Sequence, residues 1–336
     1  MLELLGEYGI FLLKVATIVI GIMLILGMII NSASRQKKHS GELKIENLSE
    51  SLKKICEQMK LEMLSDKERK KAKKATKKAK AKEVFDKRVF VIDFKGSMDA
   101  HETESLRREV TAILAIADVD KDEVLLRLES PGGVVHGYGL AAAQLKRLRD
   151  KGLKLTISVD KVAASGGYMM ACIGDRIVAA PFAVLGSIGV LAQIPNFHRL
   201  LKKNDIDFEQ ITAGEYKRTL TLFGKNTDKG REKFQDDIES IHGLFKDFVQ
   251  EHRTGLNIDD VATGEVWYGQ AALDKGLIDD IKTSDDLLLE AIDRAQVFKV
   301  TYKEKAKLSE RFTQGAQSSI DRLIMDWVQR SKLWRW

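Results

Sequence analysis

The sequence predicts an α/β domain whose strands pair in parallel, placed after an apolar N-terminal segment and a basic linker. From residue 87 onward, short apolar runs alternate with stretches whose apolar residues recur at helical spacing. This alternation is typical of a parallel sheet covered by helices. The predicted buried strands are residues 88–94, 123–129, 153–159 and 175–180. The predicted helices are residues 101–117, 137–152, 228–252, 269–276 and 284–295.

Residues 10–30 form an apolar run that only Lys14 interrupts. As a helix this run is about 31 Å long, which matches a bilayer core of about 30 Å. We therefore expect a retained single-pass transmembrane anchor. A cleaved signal peptide is the alternative, because residues 31–34 (NSAS) resemble a cleavage site. The residues before the run argue against it, since they include two acids and no basic residue.

The formal net charge of +6 comes from one segment. Residues 66–82 hold ten Lys or Arg and two acidic residues, so the rest of the chain carries a net charge of −2. This segment belongs to a polar, helix-prone linker at residues 31–86. We interpret it either as a solvated spacer or as a contact for anionic lipid headgroups. Nucleic-acid binding is not expected, because no aromatic residues interleave with the lysines.

The cysteines and the charges beside the apolar run bear on redox chemistry and orientation. Cys56 and Cys172 lie far apart in dissimilar contexts, which indicates neither a disulfide framework nor a metal site. Arg35, Lys37 and Lys38 follow the apolar run. By the positive-inside tendency, they predict that the long C-terminal portion lies in the cytoplasm.

Two predicted strands lead into glycine-rich turns that precede helices. Strand 123–129 leads into residues 130–133 (SPGG), and strand 153–159 leads into residues 165–167 (SGG). Ligands in open α/β sheets gather at the carboxyl ends of strands, so such turns on neighbouring strands border one crevice. Glycines let backbone N–H groups approach a ligand, and an oxyanion hole requires such donors. Each turn taken alone is also consistent with a simple tight turn.

As a nucleophile, Ser165 would need a general base. Among the six histidines, His136 follows the first glycine turn and is a minor candidate, whereas His242 and His252 belong to a charged helix expected to face water. A lysine can also serve, provided that burial lowers its pKa from about 10.4 so that the amine is neutral. Lys217 lies in a mostly apolar or hydroxylated stretch, although by sequence alone a surface role is the default.

Four motifs indicate a family. They are AASGGYMMA around Ser165, SPGG at 130–133, GSIGV at 186–190 and AGEYKRTLT at 213–221. Together they resemble the signal peptide peptidase A family of membrane-anchored Ser/Lys serine peptidases, whose fold is ClpP/crotonase-like. The resemblance covers about residues 87–295, which we take as the catalytic domain. Residues 296–336 are then a C-terminal extension. Its Trp-rich end, residues 318–336, is predicted to form an amphipathic helix that either lies at the membrane interface or packs within the protein or an oligomer.

This resemblance implies roles for individual residues. Ser165 matches the family nucleophile, Lys217 the general base and Ser187 the hydroxyl that orients the lysine amine. Gly133 and Gly166 match the backbone N–H donors of the oxyanion hole. The implied reaction is hydrolysis of a peptide bond by acyl transfer, with no metal and no cofactor.

The resemblance also implies partners and a location. Substrates would be membrane-associated peptides such as signal-peptide remnants, and the protein would form homo-oligomers in which Ser165 and Lys217 sometimes come from adjacent subunits. The family places its domain outside the bacterial inner membrane, whereas the flanking charges favour the cytoplasm, so the side stays open. Two alternatives are a non-peptidase acyl-transfer enzyme on the same fold, such as an acyl-CoA enzyme, and a catalytically inactive membrane scaffold.

Overall fold

The computed structural model describes residues 13–15, 17, 21, 41–65, 67–69 and 85–304. Leu43–Tyr302 form one unit, and the other unit, residues 1–42 and 303–336, lies mostly outside the described residues. The predicted anchor at 10–30, the basic run at 66–82 and the Trp-rich end at 318–336 lie wholly or almost wholly outside them. Among the described residues, no helix is both long enough and apolar enough to cross a bilayer.

Strands and helices alternate through the described part of the chain. The strands are β1 (Glu42–Asn47), β2 (Arg88–Lys95), β3 (Glu123–Glu129), β4 (Lys154–Val159), β5 (Val162–Ala164), β6 (Arg176–Ala179), β7 (Val184–Gly186), β8 (Val266–Tyr268), β9 (Asp280–Ile281) and β10 (Gln296–Lys303). The helices are α1 (Leu48–Glu62), α2 (Thr103–Ile116), α3 (Val135–Asp150), α4 (Gly166–Ala171), α5 (His198–Lys203), α6 (Asp228–His252), α7 (Ile258–Val261), α8 (Gly269–Asp274) and α9 (Ser284–Ile292).

Seven strands form the main sheet in the order β1-β10-β2-β3-β4-β6-β9. The pairs from β10 to β9 are all parallel. Phe90 and Ile92 of β2 point into the core shared with α2 and α3, and Val89 and Val91 point into the core shared with α9. Because both faces are covered, the strands are almost continuously apolar in sequence. The predicted α/β class with parallel pairing is confirmed.

An ion cluster joins β10, β2 and β3 in addition to their backbone ladders. Arg127 Nε lies 2.6 Å from Asp93 Oδ1, and Lys299 Nζ lies 2.6 Å from Asp93 Oδ2. Burial alone would raise the pKa of Asp93, but the hydrogen bonds from Arg127 and Lys299 outweigh it and hold this pKa below its ordinary value. The cluster therefore ties β10 to the centre of the sheet.

The main sheet extends beyond the predicted catalytic domain of residues 87–295. β1 and α1 lie within the predicted linker, and β10 lies within the predicted C-terminal extension, yet β1 and β10 are adjacent strands. Ser49 of α1 accepts a 2.8 Å hydrogen bond from the N–H of Val297 in β10. Sequence patterning missed these strands because β1 is largely exposed and β10 is only partly buried.

A second sheet of three short strands, β5-β7-β8, carries the region around Ser165. β5 pairs in parallel with β7, and β7 pairs antiparallel with β8. The sequence predicts that strand 153–159 continues into Ser165, whereas in the structure β4 ends and the separate β5 leads to Ser165. A single bridge between Ser130 and Ala163 joins the end of β3 to β5. This bridge brings the two glycine turns together.

Candidate active site

The turn after β3 packs closely against the turn that holds Ser165. Gly132 has a φ of +88°, and a Cβ there would lie 2.7 Å from both the Ala164 carbonyl oxygen and the Cβ of Ser165. Only glycine combines this backbone conformation with such a close approach. Gly132 is therefore required for the contact between the two turns.

Ser165 has a strained backbone, with φ 52° and ψ −119°. Residues other than glycine rarely adopt a positive φ. Neighbouring backbone holds this conformation, because the N–H of Ser165 donates to Gly186 at 2.8 Å and its carbonyl accepts from Met169 at 3.0 Å. Strain of this kind costs about 1–3 kcal/mol and clusters at functional sites. Among the described residues other than glycine, Ser165 shares a positive φ with Ala100, Ser187 and Asp205, and it is therefore one candidate functional residue.

Ser187 follows β7 in a second turn with positive φ. Its φ is 50°, and its N–H donates to the Glu265 carbonyl at 2.6 Å. Because Ser165 is bonded to Gly186, the residue before Ser187, the two serine turns hold a defined relative position.

One cavity of about 720 Å³ brings together Ser165, Ser187, Gly133 and Gly166. No Lys, Arg, Asp or Glu is among the described residues that line it. Most of the remaining lining is apolar, namely Met98, Pro131, Val134, Val135, Met169, Val190, Leu191, Ile241 and Phe245. The cavity therefore collects four of the five predicted site residues in an environment suited to apolar ligands.

The backbone N–H groups of Gly133 and Gly166 have no acceptor among the described residues. Their neighbours are bonded, since Gly132 donates to Ser130 Oγ at 3.1 Å and Val134 donates to the Met98 carbonyl at 2.9 Å. Gly166 is buried, whereas Gly133 is half-buried, and both line the cavity. Two unpaired N–H groups beside a serine can hold a negatively charged oxygen, as an oxyanion hole does.

Lys217, the predicted base, does not line the cavity of Ser165. It is exposed and lines a different cavity of about 820 Å³ together with Ile194, Ile211 and Phe223. Both the lysine and these neighbours belong to residues 191–226, which we call the arm. Within the described residues, a single copy of the chain does not combine Ser165 and Lys217 in one cavity.

The arm folds back on itself but leaves apolar side chains exposed. The N–H of Phe197 donates to Leu222 at 2.7 Å, and the ring of Phe223 lies 6.1 Å from that of Phe197 and 5.7 Å from that of Phe208. Exposed apolar residues of the arm include Leu191, Leu200, Ile206 and Ile211, which is 96% exposed. Apolar surface of this kind marks contacts with other macromolecules.

His242 lines the cavity, although the sequence predicts that it faces water. Its Nε2 lies 3.2 Å from the Ile188 carbonyl oxygen, which can only accept, so Nε2 carries the hydrogen of this bond. Ile241 and Phe245, four residues apart, could have signalled that His242 borders the buried face of α6. His136, the minor candidate, is exposed and is not part of the lining.

The described residues offer no metal site, and the two cysteines lie away from the cavity of Ser165. No cluster of three or more His, Cys, Asp or Glu suited to a metal ion occurs among the described residues. Cys172 is fully buried, and burial raises the pKa of its thiol. Cys56 is exposed on α1. Neither cysteine lines the cavity of Ser165.

Comparison with known proteins identifies the family. Residues 3–145 match the family described as Peptidase family S49 N-terminal, and residues 147–298 match Peptidase family S49. Over 338 aligned residues the chain is 50% identical to Probable protease SohB of Haemophilus influenzae, with 96% of each chain covered. It is 55% identical over 239 residues to Probable protease SohB of Buchnera aphidicola subsp. Acyrthosiphon pisum, with 71% of each covered.

A third relative agrees with these two. The chain is 50% identical over 299 residues to Probable protease SohB of Buchnera aphidicola subsp. Schlechtendalia chinensis, with 84% of this chain and 98% of the relative covered. The resemblance that the four motifs predict is thereby confirmed. A strained serine, two unpaired N–H groups and these matches agree, and the chain belongs to peptidase family S49.

Proposed function

We propose that the protein is a serine endopeptidase in which Ser165 attacks a peptide carbonyl while the N–H groups of Gly133 and Gly166 hold the oxyanion. The observation that carries this proposal is the meeting of a strained serine and two unpaired N–H groups in one cavity. Strain and unpaired donors both reduce stability, so their coincidence argues for function. The names of the three relatives support a protease.

The proposed reaction is acyl transfer in two halves. A base takes the proton of Ser165 Oγ as this oxygen bonds to the carbonyl carbon, and the carbonyl electrons form the oxyanion. The base then gives its proton to the amine as the C–N bond breaks, which leaves an ester on Ser165. Water, deprotonated by the same base, attacks the ester, and Ser165 Oγ leaves and recovers its proton.

We propose Lys217 of a second copy of the chain as this base, with Ser187 orienting its amine. The cavity of Ser165 has no lysine of its own among the described residues, while the arm that carries Lys217 exposes apolar side chains suited to contact with another copy. An amine that enters a cavity without acidic side chains loses solvation, which favours its neutral form. This proposal requires that the protein forms a homo-oligomer.

Labelling of the purified full-length protein with a fluorophosphonate probe tests the proposal. We expect labelling of wild type, none of Ser165→Ala, and a reduction of Lys217→Ala labelling by at least about 100-fold, as for loss of a general base. Lys225→Ala, an exposed lysine of the same arm, is the matched control and should be labelled like wild type. Labelling that survives Ser165→Ala would exclude Ser165 as the nucleophile.

The same samples separate the alternatives. A folded, oligomeric wild type that neither takes the label nor cleaves casein would favour a non-catalytic scaffold. Turnover of an acyl-CoA thioester that is unchanged in Ser165→Ala would favour an acyl-CoA enzyme that uses only the backbone N–H groups.

The proposal includes anchoring by residues 10–30 in a bacterial inner membrane and membrane-associated peptides as substrates. The apolar lining of the cavity supports cleavage beside small or apolar residues. A membrane-impermeant maleimide applied to spheroplasts determines the side of the membrane, because Cys56 is exposed and Cys172 is buried. Labelling of intact spheroplasts indicates an outer location, and labelling only after lysis indicates the cytoplasm. Cys56→Ser is the control.

A further inference from the structure

Hydrogen bonds link the first glycine turn to the interior of the domain. Ser130 Oγ accepts the N–H of Gly132 at 3.1 Å and lies 2.5 Å from the hydroxyl of Tyr138. That hydroxyl lies 2.8 Å from the carbonyl oxygen of Ser97. Ser130 and Tyr138 are both fully buried. These groups are therefore shielded from solvent and depend on one another for hydrogen bonding.

The direction of each bond follows from the acceptor at the end. The Ser97 carbonyl can only accept, so Tyr138 donates its single hydroxyl proton there. Ser130 must then donate its own proton to Tyr138. The oxygen of Ser130 accepts from Gly132. The donors all point the same way, an arrangement in which successive hydrogen bonds strengthen one another.

This series of bonds occupies the N–H group of Gly132. The next N–H group of the turn, that of Gly133, has no acceptor among the described residues. On the other side of Gly133, Val134 donates to the Met98 carbonyl at 2.9 Å. Residues 97 and 98 therefore hold both neighbours of Gly133. Met98 binds Val134 directly, and Ser97 is linked to Gly132 through Tyr138 and Ser130.

The ring of Tyr138 supports the second free N–H group. A Cβ placed on Gly166 would lie 2.4 Å from Cγ of Tyr138, so the ring packs against the backbone of Gly166. Phe94 holds the ring edge to face, at 6.5 Å between centroids and 74° between planes. Tyr138 thus contacts the backbone of Gly166 with its ring and acts on Gly133 through its hydroxyl.

We propose that Tyr138 is a positioning residue that sets the relative places of the Gly133 and Gly166 N–H groups. The inference rests on the proposed function, because Tyr138 is not among the residues that line the cavity and acts only through these two donors. Loss of an oxyanion donor lowers kcat by about 100- to 1000-fold. Misplacement of one donor, which remains present, is expected to have a smaller effect.

Tyr138→Phe tests this role, because it keeps the ring against Gly166 and removes the hydroxyl that acts on Gly133. We expect kcat for a peptide and the rate constant of fluorophosphonate acylation to fall by about 10- to 100-fold, with KM unchanged within about twofold. A peptide aldehyde, which forms an oxyanion adduct with the serine, should lose affinity by the same factor. The corresponding peptide alcohol, which forms no adduct, should bind as it does to wild type.

Tyr168→Phe is the matched control for loss of a buried tyrosine hydroxyl. Tyr168 is also fully buried, and its hydroxyl donates to the Leu277 carbonyl at 2.9 Å, a bond that does not involve the glycine turn. We expect both Phe variants to melt at lower temperature and only Tyr138→Phe to react more slowly. Ser130→Ala breaks the same series of bonds, so combining it with Tyr138→Phe should add little further loss.

The possible outcomes separate this inference from the proposed function. If wild type is labelled and Tyr138→Phe is acylated at the wild-type rate, the positioning role is wrong and the peptidase proposal stands. Equal losses of rate in Tyr138→Phe and Tyr168→Phe would also overturn the positioning role. If wild type itself is not labelled, the proposed function fails, and the role of Tyr138 fails with it.

Discussion

The backbone N–H of Ser165 donates a 2.8 Å hydrogen bond to the carbonyl oxygen of Gly186. The residue after Gly186, Ser187, has almost the same unusual backbone angle as Ser165, with φ 50° against 52°. The two serines therefore stand at the ends of adjacent strands, β5 and β7, whose parallel pairing fixes them relative to each other. Pairing between the strands, rather than the preference of serine, imposes the strain at Ser165.

Ser165→Gly should stabilise the protein while abolishing fluorophosphonate labelling. Glycine adopts a positive φ without a Cβ penalty, so part of a strain of about 1–3 kcal/mol is relieved. Because glycine makes the unfolded chain more flexible, we expect a net gain of about 1 kcal/mol in the free energy of unfolding. Ser165→Ala keeps the Cβ and is the matched control. Urea unfolding that gives equal stabilities for the two variants would contradict the strain.

Mixed oligomers of Ser165→Ala and Lys217→Ala should be labelled much faster than either variant alone. If the lysine comes from a second copy, some sites in a mixed assembly combine an intact Ser165 with an intact Lys217. When equal amounts of the two variants assemble at random, about a quarter of all sites combine an intact Ser165 with an intact Lys217. We therefore expect about a quarter of the wild-type labelling. Co-refolding or co-expression followed by gel detection of the label measures it. No recovery in demonstrated mixed oligomers would place the lysine in the same copy.

His242→Gln should retain labelling within about fivefold of wild type, the cost of losing one neutral hydrogen bond of about 1 kcal/mol. The ring lies in the cavity, and its Nε2 donates to the Ile188 carbonyl beside Ser187. We therefore expect His242 to support that turn, with proton transfer assigned to Lys217. Complete loss of labelling in His242→Gln, with labelling kept in Lys217→Ala, would make His242 the base.

Glu109 should make stability fall as pH rises. Burial raises the pKa of this carboxyl from 4.5 to about 7, although the hydrogen bond that it accepts from the backbone N–H of Tyr302 at 2.7 Å lowers the pKa. Nearby Asp93 adds to the increase, and Lys299 opposes it. Because the pKa is higher in the folded state, the stabilisation is complete below about pH 4 and is lost as the pH rises through about 7.

Glu109→Gln tests this pH dependence, since glutamine is neutral at every pH. The difference in unfolding free energy between the variant and wild type should shift in favour of the variant by about 3 kcal/mol from pH 4 to pH 8. Urea unfolding at the two pH values measures it. Glu104→Gln, at an exposed position of the same helix, is the matched control. A difference that is the same at both pH values would show that Glu109 titrates normally.

Local pattern predicted much of the main fold. Strand 123–129 and helix 228–252 agree with the structure to the residue, and strand 88–94 agrees to within one residue. These elements carry either continuous apolar runs or apolar residues at helical spacing, so neighbouring residues determine them. Sequence patterning missed β1 and β10, because their place in the sheet depends on pairing with strands far away in sequence.

The candidate site was predictable in part. The glycine turns at 130–133 and 165–167 signalled the approach of backbone N–H groups, and the structure places Gly133 and Gly166 in one cavity with Ser165. The sequence did not reveal Ser130 and Tyr138 as partners, because a hydrogen bond between their hydroxyls is invisible to hydrophobic patterning.

By itself the sequence determined the α/β class, the family and the turn that contains Ser165, because each depends on short runs of residues, even though the family required four such runs together. Only the tertiary structure decided that β5 forms a second sheet, that His242 enters the cavity, and that Lys217 lies on an exposed arm away from it. The physical reason is that burial and long-range pairing are properties of the packed chain. The positive φ of Ser165 occurs at the end of a strand that pairs with β7, and the Gly132 N–H is bonded to Ser130, whose hydroxyl lies beside that of Tyr138.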